Sequence, residues 1–407
     1  MLEKSLFLER RFLEMRNNSK VICESLELED YVVQPNPEVS PPKWHLAHTT
    51  WFLEEIILNK YQKNYKFYNP HFKKFFNSYY KSLGEHWIQA RRGDLSRPTV
   101  AEIYAYRESI DNQLMLLLTK NRHLGELYHL LELAINHEEQ HQELLYMDIK
   151  YILGSNPIMP CYSNQFFEKE YPVKENWNFF TEGIYNVGES ASDSFYFDNE
   201  SPCHKVYVYP FGISDRLVTN GEFLNFINDG GYEQPLLWLS KGLDWVIENK
   251  IKAPLYWSQL DSEWSEFTLN GEMKLDLNLP VSHISYYEAE AFARWMGMRL
   301  PTEQEYEVST ERSPSSDNLK GLHPTNAGTN KSQLWCWTQS HYSPYPGFKP
   351  YKGKISEYNG KFMCNQFVLR GGCVVTPEGH YRKTYRNFYE PHQRWMFSGI
   401  CLAKDYL

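Results

Sequence analysis

Two histidines four residues apart, in His137-Glu138-Glu139-Gln140-His141, are the strongest sign of chemistry in this 407-residue chain. They lie in a stretch, Leu124 to Ile152, whose apolar residues recur at helical spacing. Both imidazoles therefore fall on one helix face, one turn apart, where they can chelate a single metal ion. His48, in Trp44-His45-Leu46-Ala47-His48-Thr49-Thr50-Trp51-Phe52, is a third ligand candidate, because a neighbouring bundle helix can deliver one side chain beside such a pair. The plainer reading of His137 and His141 is a solvated, charged helix face, and that of His45 is a hydrogen-bonded core or supporting group. The same five residues also match the His-Glu-x-x-His pattern of zinc proteases, in which Glu138 would be the general base. Nothing downstream of His141 supplies a clear third ligand for that pattern.

Helices have to position these residues, and the chain up to about residue 155 supplies them. Val100 to Leu118 and Leu124 to Ile152 have helical apolar spacing, and Pro41-Pro42 opens a third segment running through Ile56-Ile57-Leu58. Three or four such segments predict a helical bundle. From Gly154-Ser155-Asn156-Pro157 the texture changes to short alternating runs such as His204 to Tyr209, broken by Gly, Pro, Asn and Asp. Helices are expected there only around Asn220 to Asn228 and Tyr286 to Met296, within a loop-rich α+β domain. The expected division is a helical metal-binding domain at 1–160, a docked connector at 161–180 and a second domain at 181–407.

Composition narrows the class. Hydrophobic residues make up 42% and aromatics 16%, far too much core material for disorder. The net charge of −9 comes without a basic block, so a nucleic-acid partner is not expected. No run approaches the roughly 18 to 20 apolar residues of a membrane span, and charges interrupt the first residues where a signal peptide would need an apolar core. Seven scattered cysteines without a Cys-x-x-Cys pair argue against a disulfide framework and a cysteine zinc cluster. A cytoplasmic protein with no membrane association and no obligate protein partner is the expectation.

The stretches Trp44 to Phe52, Phe76 to Tyr80 and His137 to Glu143 resemble the DinB-type helical domain of ergothioneine-pathway sulfoxide synthases, the EgtB-like family. The second half is similar to that family's formylglycine-generating-enzyme-like (sulfatase-modifying) domain. Its marks are Pro210-Phe211-Gly212-Ile213, Val218 to Glu222, Asp229 to Tyr232, Arg299-Leu300-Pro301-Thr302-Glu303, Leu369 to Gly372, and the block from Tyr385 to Gly399. The resemblance implies a multi-domain α and α+β protein: a DinB-like four-helix bundle followed by a C-type-lectin-like domain.

It also implies an O2-dependent, Fe(II)-catalysed coupling of a thiol, cysteine or γ-glutamylcysteine, to the imidazole carbon of hercynine, giving a sulfoxide. His48, His137 and His141 become the iron ligands, and three neutral ligands leave an octahedral ion room for the reactants. Tyr79 and Tyr80 fall where the family places tyrosine near the metal, so one of them is expected to be catalytic as a proton donor. Gln140 and Asn387 are expected to orient hercynine, and Phe388 and Tyr389 to face its trimethylammonium. Arg91 and Arg92 are candidates for the thiol's carboxylate. Tyr389 stands where some members carry Asp, and Cys336 where related lectin-like domains carry Glu, which puts a calcium site there in doubt. Thr376 and Tyr381 lie near the places of the copper-holding cysteines of true formylglycine-generating enzymes, so aldehyde formation is not expected. Within the class, 5-histidylcysteine sulfoxide synthase and a selenoneine-forming relative are alternatives. Outside it stand a zinc-dependent DinB-type hydrolase or thiol transferase, and a lectin-like binding module.

Overall fold

A computed structural model of the chain describes residues 2–164, 174–190, 194–310, 321–325 and 331–406. Contacts divide it into two compact units, Met1–Tyr162 with Tyr351–Tyr358, and Ser163–Pro350 with Asn359–Leu407. Of the stretch expected as a connector, 165–173 lie outside the described residues, and its end, Trp177–Phe180, is already a strand of the second unit.

The first unit is built on four long helices, α1 (Leu2–Cys23), α2 (Pro42–Leu53), α5 (Val100–Lys120) and α6 (Gly125–Gly154), with short α3 (Asn59–Tyr61) and α4 (Phe72–Phe76) between α2 and α5. α1 packs on α6, and α2 packs on both α5 and α6. Pro42 at the first position of α2 costs no hydrogen bond, because that N–H has no partner within a helix. All twelve residues of α2 are buried, so it is the central helix, and a π-helical stretch at Glu54–Leu58 continues it. α5 starts with a capping box in which Thr99 and Glu102 each satisfy a backbone N–H of the other.

A buried ionic cluster ties the four helices together. Glu138 on α6 accepts from Arg16 Nη1 on α1 at 2.7 Å, from Arg107 Nη2 on α5 at 2.9 Å and from Ser19 Oγ on α1 at 2.6 Å. On α2, Arg16 Nη2 donates to Thr50 Oγ1 at 3.0 Å and Arg107 Nη1 donates to the Leu46 carbonyl at 3.0 Å. Burial by itself would raise the Glu138 carboxyl, but the two guanidiniums and the serine outweigh it and hold the group at about 2.

In the second unit, three antiparallel strands β1 (Trp177–Phe180), β4 (Phe211–Leu217) and β12 (Cys401–Asp405) form one sheet in the order β1-β4-β12. β2 (Gly183–Val187) pairs with β3 (His204–Val208), and β5 (Trp257–Leu260), β6 (Glu263–Thr268) and β7 (Gly271–Lys274) form a meander. A fourth sheet has the order β10-β9-β8-β11, from β8 (Trp335–His341), β9 (Phe367–Arg370), β10 (Asn387–Tyr389) and β11 (Ser398–Gly399). Two turns of one design recur: Arg216 to Glu222 and Arg299 to Glu305 each run Arg, then a Thr cap, then a capping Glu that takes both the Arg and the Thr backbone. They start α7 (Asn220–Asn228) and α10 (Glu303–Ser309). In the interior, Arg370 pairs with Glu307 and Arg386 Nε donates to Glu303 at 2.8 Å.

α7 and α9 (Tyr286–Trp295) stand where helices are expected, but α8 (Ser240–Asn249) and α10 correct the expectation of only two helices. α8 has a glycine inside it and buries only Gly242 and Val246, so its buried face is short and narrow. Gly242 lets it approach Tyr287, whose ring a Cβ would meet at 2.9 Å. α10 is seven residues long and rich in Glu. Among the described residues no helix is long and apolar enough to cross a membrane.

The folded Glu138 carboxyl at about 2, against 4.5 for a free one, makes the folded chain bind fewer protons than the unfolded chain between those values. Its contribution is complete above the unfolded value and is lost as pH falls towards about 2. Glu138→Gln is expected to cost about 3 to 5 kcal/mol at neutral pH, read by urea unfolding, and to flatten the acid limb of the stability curve. Equal stability of variant and wild type at neutral pH would remove the cluster's structural role.

Candidate metal centre

His48 from α2 and His137 and His141 from α6 meet in the first unit, with one ligand nitrogen of each within 4.8 Å of the others. The Nε2 atoms of His48 and His137 are 3.2 Å apart, and the ring centroids of the three pairs lie 4.7 to 5.0 Å apart. The four-residue step of α6 places its two imidazoles on the face turned towards α2. Trp44 stacks on His48 with centroids 4.6 Å apart, and Phe52 stacks on His137 at 4.1 Å, so aromatic faces wall the cluster.

His48 Nδ1 lies 2.6 Å from the Phe76 carbonyl and therefore carries the proton, which leaves Nε2 as a lone pair. His141 Nδ1 is 2.9 Å from His45 Nδ1, and His45 Nε2 is 2.8 Å from Asp148 Oδ2. Burial pushes all three cluster histidines well below the ordinary imidazole value. For His48 the neighbouring His141 adds to this, for His137 it is His48, and for His141 it is His137 and His45. Neutral imidazoles with nitrogens converging on one point fit a borderline divalent metal ion, and the donor set is all nitrogen.

The segment 351–358, distant in sequence, belongs to this unit. Lys354 Nζ donates to the buried Glu55 at 2.6 Å, and Glu357 accepts from the backbone N–H of Ser82 at 2.8 Å. Tyr358 is thereby held with its ring 5.8 Å from His137, its backbone carbonyl accepting from Tyr79 at 3.2 Å and its hydroxyl donating to Gln140 Oε1 at 2.7 Å. Sequence reasoning missed Tyr358. It stands 217 residues beyond His141 in a chain with 30 tyrosines, and no local pattern marks it.

The other expected site residues divide by place. Tyr80 is fully buried, its ring 6.1 Å from Trp51 and 6.2 Å from Phe52, and Tyr79 stacks on it at 4.6 Å. Arg92 is buried with its guanidinium carbon 3.3 Å from the Trp44 ring centroid, donating to Ser40 and Ser78. Burial lowers it to about 9, with Asp148 opposing. Arg91 is exposed and pairs with Asp94 at 2.6 Å. Asn387, Phe388 and Tyr389 form β10 in the second unit, where Phe388 stacks on Tyr342 at 4.1 Å and Tyr389 meets Trp395 edge-on at 5.6 Å. Glu138 corrects the zinc-protease reading: one step from His137, it points into the Arg16–Arg107 cluster, and a carboxyl held at about 2 is too weak a base to take a proton from water.

Residues 176–323 match the family model described as sulfatase-modifying factor enzyme 1-like domain. The chain is 29% identical to the hercynine oxygenase of Mycobacterium tuberculosis, over 67% of this chain and 71% of that protein. It is 34% identical to the hercynine oxygenase of Mycolicibacterium smegmatis, over 51% of this chain and 56% of that one. Ergothioneine biosynthesis protein 1 of Schizosaccharomyces pombe is 28% identical over 53% of this chain and 29% of its own length. A helical unit carrying a three-histidine cluster is thus followed by a stretch similar to sulfatase-modifying-factor-type domains, in a chain similar to hercynine oxygenases.

Replacing His48, His137 or His141 singly by Ala should reduce the divalent metal bound per chain to near none, because two imidazoles hold a labile ion far less tightly than three. The exposed His71→Ala should bind as wild type does, and equal metal content in all four variants would remove the cluster as the metal site.

Proposed function

We propose that the chain is a non-haem Fe(II) sulfoxide synthase that joins a thiol, cysteine or γ-glutamylcysteine, to the imidazole carbon of hercynine with O2 as oxidant. The observation that carries this reading is the all-histidine cluster of converging, neutral nitrogens in a chain related to hercynine oxygenases. The reaction balances: a C–H and an S–H bond are lost, a C–S bond and an S–O bond form, and the second oxygen atom leaves as water. Fe(II) held by His48, His137 and His141 would supply the redox chemistry that lets O2 accept these four electrons.

The chain's own groups would do the rest. Gln140, whose carbonyl oxygen accepts from Tyr358, would orient hercynine through its side-chain amide. Arg92, beside His48 across the Trp44 ring, is better placed than the exposed Arg91 to take a substrate carboxylate. Tyr358 stands beside whichever of Tyr79 and Tyr80 is catalytic as a further proton donor for the sulfur–oxygen step, since it touches both His137 and Gln140. Small-molecule substrates and a cytoplasmic setting complete the reading.

Protein loaded with Fe(II) under anaerobic conditions, then given hercynine, either thiol and air, should take up O2 only when both substrates are present. The product should contain both substrates with one added oxygen and two fewer hydrogens, and the thiol that supports it names the sulfur donor. Uptake without coupled product would move the assignment to histidine or a selenium donor, whereas no uptake and tightly held zinc would replace it with a zinc hydrolase or thiol transferase. Tyr358→Phe should slow coupled product by about 10² to 10⁴ while leaving Fe(II) binding intact, and unchanged turnover would remove Tyr358 from the chemistry.

A further inference from the structure

One side-chain chain leads away from the cluster and is used by neither the ligand set nor the substrate contacts. Asp148 lies on α6 seven residues beyond His141, on the same face, and His45 lies on α2 three residues before His48. Both are 3% exposed. Asp148 Oδ2 accepts the Ser40 backbone N–H at 2.8 Å and lies 2.8 Å from His45 Nε2. A carboxylate oxygen that already accepts one proton donor calls for a second, so His45 carries its proton on Nε2. His45 Nδ1 is then a lone pair, 2.9 Å from His141 Nδ1. Two lone pairs with no metal ion between them do not sit at that distance, so His141 carries its proton on Nδ1 and donates it to His45. The remaining nitrogen of His141, Nε2, is left as a lone pair for the cluster.

We propose that Asp148 and His45 are positioning residues that fix the tautomer and ring orientation of His141 for metal binding, a carboxylate–histidine–histidine relay. The inference rests on the reading of His48, His137 and His141 as the metal ligands. His48 reaches the same state through a backbone carbonyl, which no substitution removes, whereas His141 depends on two side chains. Such outer partners are worth about 10- to 100-fold in metal affinity. The relay also reaches the aromatic wall: Arg92 Nη1 donates to Ser40 Oγ at 2.7 Å, and the Ser40 N–H holds Asp148.

Two measurements on the full-length chain test it. Fe(II) affinity, read by competition with a chromogenic chelator, should fall about 10- to 100-fold in His45→Phe, which keeps a ring but cannot accept from His141. His45→Gln should stay within a few-fold of wild type, because its carbonyl can accept from His141 while its NH2 donates to Asp148. Wild-type affinity in His45→Phe, or equal loss in both variants, overturns the relay and leaves His45 a packing residue. Wild-type protein that binds no Fe(II), or binding that survives His137→Ala, overturns the metal reading instead. The second measurement needs no variant: long-range proton–nitrogen correlations in histidine-labelled wild type, before Fe(II) is added, should show His141 protonated at Nδ1. Protonation at Nε2 overturns the relay whatever the metal does.

Discussion

A helix with no solvent-facing side can satisfy its polar side chains only inside the protein, and much of the first unit is organised around that demand on α2, although Trp51 Nε1 is left without a hydrogen-bond partner among the described residues. Lys43 donates to the Leu95 carbonyl at 2.6 Å, and Thr50 bonds back to the Leu46 carbonyl at 2.8 Å. Beyond the helix proper, Glu54 takes hydroxyls from Tyr65 at 2.8 Å and Tyr106 at 2.5 Å. An unpartnered buried polar group costs several kcal/mol, about 2 to 7 by transfer measures, so each of these contacts helps define which helix packs where. His45 and His48 meet the same demand with one nitrogen outward to Asp148 or Phe76 and the other inward, and the inward nitrogens face α6. The cluster is thus where the satisfaction of a buried helix leaves basic nitrogens facing one another.

α6 divides its labour between two faces. His137, His141 and Asp148 look towards α2 and its histidines, while Glu138, one residue on and about 100° round the helix, looks towards α1 and α5 and binds two arginines. The separation matters electrically. A free carboxylate beside the cluster would favour protonated imidazoles, whereas here burial dominates and keeps them neutral. The arginines that hold the bundle together thereby also take up Glu138, the acid next to His137.

Residues 351–358 show how a long chain contributes to a local site. Their ties to Glu55, Ser82, Tyr79 and Gln140 involve side chains or backbone groups scattered over the first 140 positions. Glu55 sits in the π-helical continuation of α2, a register change of the kind that recurs at functional sites because it re-aims side chains. The same helix therefore presents two histidines at one end and an anchor for the Tyr358 segment at the other.

The residue order alone determined the helices that carry the site. Apolar periodicity marks α5 and α6, Pro42 marks the start of α2, and the four-residue histidine step is a property of any helix that contains it. It also carried the family resemblance and the choice of His48 as the third candidate ligand, since Trp44 to Phe52 is a recognisable block. α8 and α10 were not legible, because one hides a glycine and a narrow apolar face and the other is a short run of polar residues. Tertiary structure decided everything that depends on where a side chain ends rather than on where it begins. Glu138 went to two arginines and not to water, Arg92 went inward and Arg91 outward, His45 became the link to Asp148, and Tyr358 arrived from across the chain. These outcomes follow from long-range burial and hydrogen bonding, whose partners lie roughly 30 to 280 residues apart, and sequence spacing carries no record of such distances.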